Sequence, residues 1–476
     1  MRKRLSLQDV IVIGGGLAGL SAGIALSEAG CRVRLFEQRP FLGGRATSYC
    51  LPDGERVDNC QHVTFACCTN LEDFYRRVGV AEKIKFFNRL LLQDPQGRRG
   101  SLQAGILPAP MHLMGSFLTF RPLSAKDKLR IGRGMLAIFQ SKGEPEELKS
   151  GAPVSMTEWL KSKGQTAKAI ERFWRVVLVS ALSEELDRID ARYGIQVFWK
   201  SVLATRKGYR MGVPVVELGA LYEHCRTSIE RKGGEVNLRV PLRGLRFEGN
   251  RLKSVVFDEG REEMADAVVL ALPHGTLDEL LPEEVKRDNP ELAQIGRIED
   301  APITGVHLWF DREVMSEPHL TLLETTTQWI FNKSMLSGNK NGAGKGPGQY
   351  LQLVISASYD LLEKPRQEII DLCLAEVRQA LPMAGRANLL KATVIKEARA
   401  TFSPQPGVDR WRPTQQTSVK GMFLAGDWTA TGWPATMESA VRSGYLAAEA
   451  VLRVAGTPRE FLKPDLPPDG LAGILS

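Results

Sequence analysis

After a short basic opening the chain runs into an apolar stretch, Val10–Ile13, that halts at three consecutive glycines. Small and aliphatic residues then recur at helical spacing from Leu17 to Ala29, and a second apolar run, Arg32–Phe36, ends at Glu37. This pattern predicts strand, turn, helix and strand in that order. Buried-strand signatures return much later: Asp266–Leu272 is closed by Pro273, and Val419–Ala425 stops at Gly426 and Asp427. A helical pattern over Glu438–Val454 follows, with Thr436 as its predicted cap. Between these, Gly233–Gly260 alternates like strands joined by a turn at Glu248–Asn250.

Two long excursions separate the strand signatures. Phe65–Arg231 is mostly helical in pattern, and Thr276–Ala400 mixes helices with strand-like pieces at Ile303–Phe310 and Tyr350–Ser356. The expected organisation is a discontinuous nucleotide-binding domain (1–64, 232–275 and 401–455) carrying an inserted substrate-binding domain (65–231 and 276–400). A Pro-rich surface tail, 456–476, completes it. Ser337–Gln349 is glycine-rich but lacks a preceding strand and a following helix, so a loop is expected there, not a second nucleotide site.

Gly14, Gly16 and Gly19 occupy the G-x-G-x-x-G positions. The first permits the tight turn, the second lets backbone approach a pyrophosphate, and the third lets helix and strand pack closely. Leu17 and Ala18 open the helix, whose N-terminus presents N–H groups and partial positive charge to phosphates. Glu37 stands about twenty residues beyond the glycines, where a carboxylate accepts from ribose hydroxyls; Gln38 and Arg39 are candidates beside it. The next segment, RPFLGGRATS (Arg39–Ser48), contains Gly43, Gly44 and Arg45. It resembles the second phosphate and flavin contact of the FAD-dependent amine oxidase and carotenoid desaturase superfamily.

That resemblance implies an α/β protein: a Rossmann-type FAD-binding domain with an inserted mixed α+β substrate-binding domain, amine oxidase-like. It implies further FAD contacts at Val240, whose backbone would face the adenine, and at Gly426 and Asp427, beside the ribityl chain and phosphate. The last helix would direct its N-terminus, with Thr436 and Met437, at the flavin N1 and C2 carbonyl. Physics agrees, because a helix N-terminus stabilises the negative charge of a reduced flavin. No cysteine follows Cys373, so a thioether link near this helix is unavailable and FAD is expected to be noncovalent.

Charge and composition narrow the partners. Of 476 residues, 63 are basic and 55 acidic, a formal net charge of +8. No aromatic-interleaved basic stretch accompanies that excess, so nucleic acid is not expected as a partner. Ser101–Phe120 holds no Asp, Glu, Lys or Arg, and Arg121, Lys126, Lys128, Arg130 and Arg133 follow directly. Gly105, Pro108, Pro110 and Gly115 argue against one spanning helix. An interfacial element over 101–133, apolar in lipid and basic at anionic headgroups, is one expectation; a buried core segment is the other. Seven scattered cysteines without zinc spacing suggest no metal and a reducing compartment. The opening MRKRLSLQDVIVIGGG superficially resembles a signal peptide, but Asp9 interrupts it and its apolar run is the nucleotide-binding strand. A cytoplasmic protein at the inner face of the cell membrane is the expectation.

The reaction is suggested by VDNCQHVTFACCTN (Val57–Asn70), one hairpin beyond the Gly-Gly-Arg step. Asp58, Asn59, Gln61 and His62 place four polar side chains where the chain should return to the flavin. Either they line the reaction centre, or Asp58 and Asn59 fix a turn and His62 is a structural histidine. The segment, together with Leu178–Phe198, Ala400–Thr417 and GDWTATGWPATMESAVRSG, resembles hydroxysqualene dehydroxylases of the hopanoid pathway, also called squalene-associated FAD-dependent desaturases. One departure is Cys60, where relatives more often have glycine, so a different backbone angle is expected there.

The resemblance implies reductive removal of an allylic hydroxyl: hydride from reduced flavin N5 reaches hydroxysqualene, water leaves and squalene results, in squalene and hopanoid biosynthesis. Hydroxide leaves poorly without a proton; His62 is the first candidate donor, oriented by Asp58 or Gln61. A long apolar isoprenoid substrate, an external electron donor and contact with squalene-synthase-like enzymes of the pathway are implied. Three alternatives stand: a phytoene-type carotenoid or isoprenoid desaturase, an amine or porphyrinogen oxidase using Trp428 and Trp433 as an aromatic cage, and a flavin-free prenyl-binding escort protein.

Overall fold

The structure is a computed structural model that describes residues 9–149, 152–337 and 348–475. Ser337–Gln349, expected to be a loop, falls almost wholly outside them. Asp9–Ile13, Arg32–Glu37, Glu235–Leu238, Ala267–Leu270 and Met422–Leu424 form one parallel sheet. Its spatial order runs Glu235–Leu238, Arg32–Glu37, Asp9–Ile13, Ala267–Leu270, Met422–Leu424. Chain order therefore reverses beside the first strand, and in such sheets ligands bind at the carboxyl ends next to that reversal. Both faces are buried. Val10 and Val12 join one apolar core with Leu218–Glu230 and the two terminal helices, whereas Ile11 and Ile13 join another beneath the first excursion. Continuous apolar runs are what a two-sided sheet requires.

The two ends of the chain meet in the helical layer. Leu17–Glu28 lies against Met437–Val454, and Gly444 is the contact point: a Cβ there would stand 2.1 Å from Ser21 Oγ and 2.3 Å from the Ala18 carbonyl. The expected cap is present, with Thr436 Oγ1 accepting from the Ser439 N–H at 3.1 Å. The strands Gly244–Phe247 and Leu252–Val256 pair antiparallel across the predicted turn.

A second, seven-stranded sheet carries Asp300–Phe310 between Leu389–Phe402 and Gln349–Ser356, then Trp329–Asn332, His319–Leu322, Arg89–Gln93 and Arg99–Gln103. One face packs on the helix Arg366–Ala380. Over part of the other lie Ala125–Gln140, Ala191–Phe198 and two π-helical turns, Ile170–Arg175 and Trp199–Leu203. Wide turns of this kind recur at functional sites.

Two expectations change. The first excursion is less helical than its pattern, because Arg89–Gln93 and Arg99–Gln103 complete a sheet whose other strands come from beyond residue 299. The charge-free stretch therefore starts as an edge strand and goes on to a five-residue helix, Met114–Leu118; Ser124 and Asp127 then cap Ala125–Gln140. Among the described residues no helix is long and apolar enough to cross a membrane. The Pro-rich tail, in turn, is pinned down. Phe461 is buried, Asp465 accepts from Trp433 Nε1 and Arg442, and the helix Gly470–Leu475 docks through the Leu471 N–H on the Ala109 carbonyl.

Candidate active site

The glycine turn is shaped by contacts the sequence pattern required. Gly14 has φ +108°, and a Cβ on it would stand 2.4 Å from the Ala271 carbonyl; a Cβ on Gly19 would stand 2.0 Å from the Gly14 carbonyl. Gly16 is different. A Cβ there meets no protein atom nearer than Gly44 Cα at 3.9 Å, so its lack of a side chain is not demanded by the protein's own packing. Gly43 and Gly44 come from the second glycine step, and the Gly43 N–H donates to the Gly15 carbonyl at 2.8 Å. Gly16 is also the N-cap of Leu17–Glu28 and places no side chain on its first-turn N–H groups. Two backbone segments and an uncapped helix end thus leave a concave, side-chain-free cradle.

Glu37 is buried beside it, its carboxylate accepting from the Gly15 N–H at 2.6 Å and the Arg39 N–H at 2.7 Å. The Val240 N–H donates to the Glu37 carbonyl at 2.9 Å, which brings the third strand's end to the same rim. Gln38 follows on the strand end and is exposed. Arg45 ties the N- and C-terminal motifs together through Asp427 Oδ1 at 2.7 Å, and Ser443 Oγ accepts from the Gly426 N–H at 2.8 Å. Sequence expectation and geometry therefore place Gly14, Gly16, Leu17, Ala18, Gly19, Glu37, Arg39, Gly43, Gly44, Arg45, Val240, Gly426 and Asp427 around one crevice.

A cavity of about 630 Å³ runs between the seven-stranded sheet and the helices. Its lining ranges from buried Gln61 and half-buried Thr436 and Met437 to Met111, Leu136 and Leu471, which are partly exposed. Its walls are mainly aliphatic and aromatic, with Phe173 and Trp329 on opposite sides.

The Asp58–His62 segment is organised around a residue that the sequence reading missed. Lys333, buried just beyond the strand Trp329–Asn332, donates to Asp58 Oδ2 at 2.8 Å and to Gln61 Oε1 at 3.0 Å. Asp58 Oδ1 also accepts from Ser48 Oγ at 2.7 Å and the Leu218 N–H at 3.0 Å. Burial opposes its charge, but Lys333 and these donors outweigh it and hold the carboxyl below its ordinary value. Asn59 donates to the Arg45 carbonyl at 2.8 Å. Neither Asp58 nor Gln61 orients the His62 ring, contrary to expectation. Its Nδ1 faces the Cys60 carbonyl at 3.4 Å, and His62 is not among the residues lining the cavity. Burial pushes the imidazole below its ordinary value, so it is neutral at pH 7.

Cys60 adopts a left-handed backbone, φ +62°, a conformation that favours glycine. Of the proposed cage, Trp428 is buried with its Nε1 on the Leu272 carbonyl at 2.9 Å, and only Trp433 reaches the cavity. No cluster of metal-ligating side chains occurs among the described residues.

A family profile described as flavin containing amine oxidoreductase matches residues 17–452. The chain belongs to that family. Among curated relatives of this amine oxidoreductase, the 15-cis-phytoene desaturase of Solanum lycopersicum is 25% identical over 94% of this chain and 78% of its own. The zeta-carotene desaturase of a Synechocystis strain is 25% identical over 93% of this chain and 97% of its own. Solved structures share the fold: an oxidoreductase from Methanosarcina mazei (TM-score 0.69, 16% identity, 94% of this chain and 100% of that one) and a putrescine oxidase (TM-score 0.69, 15%, 94% and 99%).

The protein is thus a FAD-dependent oxidoreductase, and the residues present fit that cofactor. The open space at Gly16 and the uncapped helix end suit the pyrophosphate, Glu37 the ribose, and Gly44, Arg45 and Asp427 the flavin side. When bound, FAD supplies two-electron redox chemistry. The chain's own contribution at that end is the N-terminus of Met437–Val454, which favours negative charge near Met437.

Proposed function

We propose that this oxidoreductase acts on a long isoprenoid hydrocarbon chain held in the 630 Å³ cavity. The observation that carries this is the cavity's lining: its walls are apolar and include both partly exposed Met111 and Leu136 and Met437, at the N-terminus of Met437–Val454. Such walls bind by excluding water and offer a charged substrate little. The reductant or oxidant that resets the cofactor comes from outside the chain.

Two finer reactions share this binding mode. Desaturation of a carotenoid-type polyene is supported by the likeness to the phytoene and zeta-carotene desaturases. Reductive dehydroxylation of hydroxysqualene to squalene is supported by the polar end of the cavity, where Gln61 rests on Lys333 and Asp58, a feature that a pure hydrocarbon does not need. His62, expected as the proton donor of that reaction, is neutral and does not line the cavity, which argues against that role. Anaerobic incubation of the reduced holoprotein with hydroxysqualene tests the direction: cofactor reoxidation with squalene formation supports dehydroxylation. Absence of both, with phytoene dehydrogenated by the oxidised form, supports desaturation. Undiminished squalene formation by a cofactor-loaded H62A variant removes His62 from the mechanism.

The substrate enters from a lipid surface at the inner face of the cell membrane in this reading. Ile106 (94% exposed), Leu129 (76%) and Ile474 (79%) are exposed apolar residues, as are the partly exposed cavity residues Leu136 and Leu471. Exposed Lys126 and Arg133 suit anionic headgroups. Sedimentation with anionic liposomes at low salt is the check; a protein left wholly in the supernatant contradicts it.

A further inference from the structure

The inner end of the cavity contains a side chain whose orientation is dictated by a neighbour. A lysine ammonium has three donors and no acceptor. The Gln61 atom 3.0 Å from Lys333 Nζ must therefore be its carbonyl oxygen, which removes the usual ambiguity between the two ends of an amide. The amide nitrogen is turned away from Lys333. One of its two N–H groups reaches the His62 carbonyl at 3.2 Å, and the other has no partner among the described residues. Lys333 is held in turn by Asp58, itself fixed by Ser48 and the Leu218 N–H. Gln61 lines the cavity.

We propose that Gln61 is a specificity-determining hydrogen-bond donor for a substrate oxygen, and that Lys333 and Asp58 are positioning residues that keep it a donor. The ligand class is a long isoprenoid alcohol, bound with its hydroxyl oxygen on the Gln61 N–H. This rests on the dehydroxylation reading and deepens it, because a hydrocarbon would leave that N–H buried without a partner. A site built to hydrogen-bond an oxygen rejects the analogue lacking it. Were Lys333 absent, the amide would be free to rotate and present its carbonyl, which accepts from the substrate O–H but leaves the hydroxyl oxygen without a donor. The ion pair itself is weak grounds for stability, and its orienting action on Gln61 gives it a role in binding.

The test is equilibrium binding to the oxidised holoprotein, read from perturbation of its visible spectrum, with hydroxysqualene and squalene compared for each variant. The expected result is tighter binding of the alcohol by wild type, by about tenfold, the value of one net hydrogen bond. Q61L should abolish that ratio while leaving squalene binding unchanged or stronger. K333M should reduce it although Gln61 is intact, and K333R, which also donates without accepting, should restore it. If K333M does not load FAD, the D58N/K333M pair removes both charges and is measured in its place. A wild-type preference that Q61L retains overturns the donor role and leaves the dehydroxylation reading standing. A preference lost in Q61L but kept in both Lys333 variants overturns the positioning role. A wild type without preference overturns both the inference and the reading on which it rests.

Discussion

At the nucleotide cradle, Gly19, Gly43 and Gly44 bring backbone against backbone within one N-terminal stretch, and Gly14 meets the Ala271 carbonyl of the adjacent strand's end. At the inner end of the cavity, Asp58 and Gln61 meet Lys333 through side chains 275 and 272 positions apart. Apart from Gly16, the cradle glycines tolerate no added atom, and the chemistry of the cradle is that of N–H groups and a helix dipole. The cavity end instead depends on charges held out of water, where each partner determines what the other can do. The first is a constraint of shape and the second a constraint of electrostatics, so they should fail differently.

The largest expected effect separates two glycines of one motif. G19A drives a Cβ to 2.0 Å from the Gly14 carbonyl and should prevent folding or yield only aggregated protein. G16A finds space in the protein itself, with nothing nearer than 3.9 Å. Its apoprotein should melt like wild type while FAD affinity falls by at least about tenfold. Calorimetry with FAD titration measures both. Equal melting of the two variant apoproteins would break the comparison.

Next in size is K333M, which leaves the buried Asp58 carboxylate unpaired and should cost about 3–5 kcal/mol in chemical denaturation. D58N/K333M should recover most of that. Failure of the double variant to recover would show that packing, not charge, governs this end of the cavity.

Acid should sharpen the contrast further. Burial lowers His307 to about 3 and His319 to about 4, so both are neutral in the folded protein. The unfolded chain binds protons near 6.5 and therefore binds more of them below that value. Stability present above about pH 6.5 should fall as the pH drops toward 4. H307N and H319N should flatten the slope of unfolding free energy against pH, whereas cradle variants such as G16A should not. The smallest effect is T436A, which removes the cap of the last helix and should cost about 1 kcal/mol, read as a lowered Tm.

Much of the cradle was legible because its physics is local. Glycines at fixed spacing, a following helical period and Glu37 at the next strand's end each follow from backbone geometry within a few turns of chain. The hairpin before Asp58, the strands at Ala267–Leu270 and Met422–Leu424, and the Thr436 cap were readable for the same reason. Strands Arg89–Gln93 and Arg99–Gln103 were not, since the runs are short and the sheet that their hairpin joins begins at His319–Leu322, far along the chain. The Pro-rich tail lies largely at the surface, and its prolines gave no sign that Phe461, Asp465 and Leu471 find distant partners.

By itself the sequence determined the cofactor, the sheet that holds it and the family-level chemistry, because steric rules for glycine and helix ends act over short stretches. It also singled out Asp58–His62 without saying what those residues do. Only the tertiary structure shows what holds them. A lone Lys333 after an apolar strand carries no signal until the fold buries it against Asp58, and a glutamine amide has no preferred end until a cation claims its oxygen. Long-range charge in a low-dielectric interior, unlike backbone geometry, leaves no periodic mark along the chain.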